Sequence, residues 1–147
     1  MQALCQWDVQ KDDSPGALVE LLRSSADASA EGDGSTECVA GIAYAKQLVD
    51  RYWASRDEID ARISEAATKW SLERISPVER NIMRVAVVEL IGDDVPLRSA
   101  LNEAIEIGRA YGGKDTPRFI NGVLDVIAKN IKMTKNIEIT KNSTGEA

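Results

Sequence analysis

Two amphipathic patterns separated by a glycine-rich break most strongly constrain how this chain can fold. Apolar residues recur at three- and four-residue spacing over residues 97–108 and again over residues 119–131, which predicts two helices that each bury one face. Gly112 and Gly113 lie between the two patterns and are expected to form a left-handed cap that ends the first helix. The stretch therefore predicts a helix, a sharp stop and a second helix.

Similar periodic patterns cover most of the remaining chain. They predict helices over residues 1–9, 18–22, 36–53, 55–70 and 77–91, with a loop over residues 24–35. The helix over 55–70 is expected to carry Trp70 on its apolar face. Ser-x-x-Glu capping boxes at 55–58 and 76–79 mark two helix starts. The helix over 77–91 is apolar around most of its circumference, so we expect it to be the central, most buried one.

These patterns add up to six or seven helices with no convincing strand, which is an all-α fold. The periodicity fades after Lys132. We therefore expect one helical domain over residues 1–132 and a flexible tail over residues 133–147.

Composition narrows the class of function. The chain has 147 residues, 44% of them hydrophobic, enough for a single core without metal or disulfide staples. It contains no histidine, and Cys5 and Cys38 match no metal-ligand spacing, so we expect no metal and no cofactor. No signal peptide or membrane-spanning stretch is visible, which favours a cytoplasmic protein. The net charge of -6 disfavours a general nucleic-acid binder but leaves room for a local basic site.

Two motifs that resemble catalytic signatures have simpler explanations. Residues 108–114 fit the opening of a phosphate-binding P-loop, but Asp115 stands where a Ser or Thr must coordinate magnesium, and the preceding segment is a predicted helix instead of a strand. Glu103 and Glu106 could form a glycosidase pair, but an ion pair of Glu106 with Arg109 is favoured. Neither motif therefore indicates a catalytic site.

The elbow, which we define as residues 112–119, carries a different kind of signal. Thr116-Pro117 is suited to the N-cap and first turn of a helix, and the unpaired N–H groups of a helix N-terminus favour a phosphate. Tyr111, Lys114, Arg118 and Phe119 gather around it, and aromatic rings beside basic groups suit single-stranded nucleic acid. The alternative is that Phe119 belongs to the core and that the cations are ordinary surface charge.

A glycine in the helix after the elbow has a structural interpretation. Asn121-Gly122 would normally indicate a hairpin turn. Here the apolar pattern resumes on the same helical face, so we interpret Gly122 as a point of close packing.

Several ordered motifs together resemble the NusB transcription antitermination family. They are the runs ERNIMRVA at 79–86, LNEAIEI at 101–107 and FINGVLD at 119–125, with Val95-Pro96 and Tyr111-Gly112 between them. Residues 2–7 and 59–72 agree with the same family. The resemblance covers nearly the whole chain apart from the loop over 24–35 and the tail.

The resemblance implies an all-helical fold of two small helical bundles that performs no chemistry. Proteins of this family bind boxA RNA together with NusE, a ribosomal small-subunit protein. With other Nus factors and RNA polymerase they let transcription of ribosomal-RNA operons pass terminators. Carried over to this chain, the resemblance assigns RNA contact to Gln2, Tyr111, Asp115, Arg118 and Phe119. We also expect Lys114 to contact RNA, because it is a basic residue of the elbow. It assigns contact with NusE to Glu79.

The start of the chain departs from the family pattern. Family members usually begin with an arginine-rich segment, whereas the first basic residue here is Lys11, and Cys5 stands where the family often has Tyr. We therefore expect Met1 to be an internal methionine of a longer natural sequence. Two alternatives are an RNA-binding appendage like that of ribosomal-RNA cytosine methyltransferases and a protein adaptor that no longer binds RNA. The oligomeric state is open, a homodimer included.

Overall fold

The computed structural model describes residues 1–10, 20, 24 and 36–144, and all regular structure in them is helical. Five α-helices and one short 3-10 helix are described: α1 (Gln2–Gln10), α2 (Thr36–Ala66), the 3-10 helix (Leu72–Arg74), α3 (Pro77–Gly92), α4 (Leu97–Tyr111) and α5 (Thr116–Thr144). The all-α prediction is confirmed. The helix predicted over 18–22 and the loop after it lie outside the described residues, except for Glu20 and Ser24.

Helix α2 joins two helices that the sequence pattern separates. The backbone leaves helical geometry only at Ser55, with φ -126° and ψ 20°, where the capping box predicts a new helix. Six α-helical segments, besides the 3-10 helix, are thus described when the two sides of Ser55 are counted apart. The second segment ends at Ala66, so the expected continuation to Trp70 is wrong.

Helix α3 is the central helix, as its apolar circumference predicts. Ser76 caps its start: the Ser76 hydroxyl accepts the Glu79 N–H at 3.3 Å and donates to Glu79 Oε2 at 2.9 Å. The helix ends at Gly92 and is capped by Asp93, which adopts a left-handed backbone with φ 61°. Along its length α3 packs against α1, α2, α4 and α5. Its fully buried residues include Met83 and Val87.

The apolar side chains form a main core and a smaller one. Tyr52, Ile63, Ile82 and Leu124 belong to the main core, and burying side chains of this size is the principal source of stability. The smaller core surrounds Leu90, between α3, α4 and α5. Within the residues that the structure describes, no helix has the length and hydropathy needed to cross a membrane.

A charged network joins α1, α2 and α3 at the edge of the main core. Arg84 is almost fully buried and donates two hydrogen bonds of 2.8 Å to the Asp60 carboxylate. Asp8 accepts from Arg80 and from Asn81. Each buried ion meets an opposite charge or a hydrogen-bond partner, so loss of one partner would leave an uncompensated charge between the three helices.

Helix α5 continues beyond the end of the apolar periodicity. The sequence predicts a flexible tail from residue 133, whereas the structure continues the helix to Thr144. The chain has no glycine or proline between Lys132 and Gly145 to end it. Lys135 also pairs with Asp93 at 3.0 Å, although Met133 and the residues after it are mostly exposed. The flexibility of this segment stays a prediction.

Candidate nucleic-acid interface

The elbow depends on a glycine, but for a reason that the sequence did not indicate. Gly112 ends α4 with φ -98° and ψ -178°, and none of the described glycines has a positive φ. The predicted left-handed cap is therefore wrong. A Cβ at residue 112 would lie 2.4 Å from Thr116 Cγ2 and 2.7 Å from the Gly108 carbonyl oxygen. Glycine is required here because α4 and α5 approach each other too closely for any side chain.

Thr116 connects the elbow to the central helix α3 by a hydrogen bond. Its side chain is buried at 4% exposure. The hydroxyl accepts the Gly113 N–H at 2.9 Å and donates to Glu79 Oε1 at 2.8 Å. Thr116 is the first residue of α5 and does not cap it as expected, since Phe119 N–H bonds to the Asp115 carbonyl at 3.0 Å. The start of α5 is thus held by a hydrogen bond to the start of α3.

A cleft of about 580 Å³ opens beside the elbow. Residues 66–70, which start at the last residue of α2, form one wall, and the start of α5 with the preceding Asp115 forms the other. Asp115, Arg118 and Phe119 line the α5 wall together with Gly122 and Val123. Phe119 also packs against the main core, so its ring serves both the core and the cleft. A cavity of this volume is in the size range of small-ligand sites.

The structure brings together three of the six predicted RNA-contacting residues in this cleft. Tyr111 and Lys114 lie at the same bend and are exposed, Tyr111 at 58%, but they do not line the cleft. Gln2 lies in α1, which packs on α3, and its side chain is outside the described residues. The site therefore has a compact part, at Asp115, Arg118 and Phe119, and two exposed residues beside it.

The sequence interpretation missed the wall that faces α5. Trp70 was expected on the buried face of a helix, but that helix ends at Ala66 and Trp70 is 53% exposed. After Ala66 the chain forms a turn, which is closed by a hydrogen bond from the Trp70 N–H to the Ala67 carbonyl at 3.0 Å. Apolar spacing alone cannot detect this, because Ala66, Ala67 and Trp70 continue the helical period.

The interpretation of Gly122 is also wrong. A Cβ at residue 122 would meet nothing within 4 Å, so close packing does not require glycine there. The residue lines the cleft. Its missing side chain leaves that part of the α5 wall open.

Glu79, the predicted partner-binding residue, lies next to this site. It is half-buried in the first turn of α3 and accepts hydrogen bonds from Ser76 and Thr116 through different carboxylate oxygens. Because Thr116 begins α5, Glu79 connects the two predicted binding regions directly.

The motifs set aside in the sequence behave as expected. Residues 108–111 of the P-loop-like run belong to α4, a helix, and not to the turn after a strand. Glu106 pairs with Arg109 at 2.6 Å on an exposed surface. Both observations confirm the structural explanation of these motifs.

Comparison with known proteins decides the family. The family model described as "NusB family" matches residues 1–129. The chain belongs to the NusB family. The transcription antitermination protein NusB of Geotalea uraniireducens (strain Rf4) is 38% identical to this NusB-family chain over 133 residues, which are 87% of this chain and 88% of the relative.

Solved structures of NusB proteins share the fold. T. maritima NusB is 32% identical, with a TM-score of 0.72, and the alignment covers 87% of this chain and 84% of that one. A second structure, of the antitermination factors NusB and NusE in complex with dsRNA, has 27% identity, a TM-score of 0.71 and coverage of 87% and 89%. The family is one of transcription antitermination factors and not of enzymes, which confirms the prediction that this protein is not an enzyme.

Proposed function

We propose that this protein is a transcription antitermination factor that binds boxA RNA together with NusE. In this role it joins other Nus factors on RNA polymerase in the cytoplasm and promotes transcription of ribosomal-RNA operons through terminators. The observation that carries the proposal is the cleft at the start of α5, which both Arg118 and Phe119 line. A relative of the same fold is described in complex with NusE and dsRNA.

The chemistry of the cleft supports RNA over a small metabolite. The exposed guanidinium of Arg118 neutralises a backbone phosphate, and the half-buried ring of Phe119 offers an apolar face to a base. Lys114 and Tyr111 extend the same combination of cation and ring around the bend. The acidic net charge of -6 disfavours phosphate binding over the surface as a whole, so a local group of cations is needed.

RNA binding is tested by fluorescence anisotropy of a labelled single-stranded boxA RNA. We expect Arg118→Ala to weaken binding and to reduce the slope of log affinity against log salt by about 1. Arg98→Ala is the matched control, because Arg98 is an exposed arginine in the first turn of α4, at the opposite end of that helix from the elbow. Phe119→Leu keeps an apolar side chain against the core and removes the ring. If Arg118→Ala, Phe119→Leu and the control all bind like the parent protein, the site assignment fails.

The partner surface is tested separately with NusE. Glu79 is half-buried at the start of α3, and we propose that its charge orients a basic ribosomal protein. Glu79→Gln removes the charge but keeps an oxygen that can accept from Thr116. We expect slower association with NusE and a weaker dependence on salt, measured by surface plasmon resonance. Full NusE binding with no RNA binding by the parent protein, even at low salt, would favour the adaptor alternative.

A further inference from the structure

Trp70 is unlike the other two tryptophans of the chain. Trp7 and Trp53 are half-buried and meet edge to face, with ring centroids 5.4 Å apart. Trp70 is 53% exposed and lies in the wall of the cleft that faces Arg118 and Phe119. A large aromatic ring left in water beside a cleft is a feature of binding surfaces, because its apolar area becomes favourable only when something covers it.

The opposite wall is built so that a planar group can enter. Gly122 lies within α5, where glycine is less favourable than alanine. Neither packing nor a positive φ accounts for it, since a Cβ there would meet nothing within 4 Å. Its effect is to leave space in the cleft in front of residues 66–70.

The cations and the carboxylate of the cleft suit different parts of one nucleotide. Lys69 and Arg118 are exposed at the cleft and attract the sugar-phosphate backbone. Asp115 lines the same cleft; its carboxylate repels a phosphate but can accept a hydrogen bond from a base amino group. The backbone therefore follows the cations, while the planar base lies inside.

We propose that the cleft between residues 66–70 and α5 is a nucleobase pocket in which Trp70 stacks on one base of the bound RNA. Lys69 contacts the adjoining phosphate, and Gly122 leaves the opposite wall open. This inference rests on the proposed RNA binding and extends the site from the elbow to the segment after α2. Stacking on an aromatic ring tolerates any base, so Trp70 contributes affinity more than sequence discrimination.

The first measurement is intrinsic tryptophan fluorescence during titration with the single-stranded boxA RNA. Stacking of a base on Trp70 is expected to quench part of the emission. Trp70→Phe keeps a ring in the cleft and should retain most of the affinity while that quenching disappears. Trp7 and Trp53 remain in this variant and report any change elsewhere in the protein. Quenching that persists unchanged in Trp70→Phe would overturn the inference.

The second measurement is affinity, by anisotropy of the labelled RNA with NusE present. We expect Trp70→Ala to weaken binding by roughly 5- to 150-fold, the effect of losing one stacked base. Gly122→Leu should also weaken binding, because its side chain fills the pocket, while its Cβ would meet no atom within 4 Å. Circular dichroism checks that both variants are folded.

The outcomes separate this inference from the proposed function. If the parent protein binds the RNA and both Trp70→Ala and Gly122→Leu bind it equally well, the nucleobase pocket is wrong and the proposed function stands. If the parent protein does not bind the RNA at low salt with NusE present, both fail. Loss of affinity in both variants, with the quenching lost in Trp70→Phe, supports the pocket.

Discussion

Replacing Thr116 with valine tests whether the hydrogen bonds of one hydroxyl hold the elbow in place. Valine has nearly the shape of threonine, so the packing of this residue is kept while both hydrogen bonds are lost. The bond to the Glu79 carboxylate is 2.8 Å long and the bond from the Gly113 N–H is 2.9 Å long. Any change in stability therefore reports on these two bonds.

The size of the effect follows from the two partners. A hydrogen bond to a charged group contributes about 1.5–3 kcal/mol and a neutral one about 0.5–1.5 kcal/mol. Glu79 is half-buried and Gly113 is exposed, so water replaces part of each bond and the lower values apply. We expect Thr116→Val to lower the free energy of unfolding by about 2 kcal/mol. For a chain of this length that corresponds to a fall in Tm of roughly 4–8 °C.

The assay is urea unfolding followed by far-ultraviolet circular dichroism. Thr116→Ser is the matched control: it keeps the hydroxyl and loses one methyl group, which contributes about 0.8 kcal/mol when buried. The expected order of stability is parent, then serine, then valine. If valine is as stable as the parent, or if serine is less stable than valine, the methyl group and not the hydroxyl holds the elbow, and the reasoning is refuted.

Three further predictions concern the rest of the fold. Arg84→Ala removes the two 2.8 Å hydrogen bonds that Arg84 donates to the Asp60 carboxylate and should lower the free energy of unfolding by roughly 3–5 kcal/mol. The control Arg62→Ala breaks an exposed pair with Glu58 and should change the free energy of unfolding by less than about 1 kcal/mol. Urea denaturation measures both changes. Burial, assisted by the charge of Glu103 and opposed by the hydrogen bond from Tyr44, raises the pKa of Glu89 above its ordinary value of 4.5. Because the pKa of Glu89 is raised in the folded state, stability is lost as the pH rises from 4.5 through the raised pKa. Glu89→Gln should therefore raise Tm at pH 7, and the gain should shrink as the pH falls through the raised pKa and vanish below 4.5; an equal gain at all pH values would contradict this. Gly122→Ala should raise the free energy of unfolding by about 0.5–1 kcal/mol, and a loss of stability in thermal melts would mean that this position is packed after all.

Local signals in the sequence predict the two capped helix starts well because such a cap depends on nearby residues. The Ser76 hydroxyl caps α3 as its Ser-x-x-Glu pattern indicates, and the break at Ser55 falls at the other such pattern. The pairing of Glu106 with Arg109 is local in the same sense. These features involve residues that are at most four positions apart.

The candidate site was harder to predict because its geometry is set by contacts between distant segments. Glu79 and Thr116 are 37 residues apart, and no periodicity links them. Residues 66–70 line the cleft only because α2 ends at Ala66, although the apolar spacing continues to Trp70. Gly112 was expected to form part of a left-handed cap, but the reason for glycine there is the close approach of Thr116, which only the packing of α4 against α5 reveals.

The shared hydrogen bond also determines how substitutions of Glu79 should be interpreted. One carboxylate oxygen accepts from Ser76 and the other from Thr116, and each oxygen has a second lone pair for a partner's donor. Glu79→Ala would remove the proposed NusE contact and also release the start of α5, where Arg118 and Phe119 lie. A loss of RNA binding in that variant would therefore not prove that the partner contact matters. Glu79→Gln isolates the charge and Thr116→Val isolates the hydrogen bond. If only Thr116→Val weakens RNA binding in the absence of NusE, Glu79 acts on the RNA site by positioning the elbow.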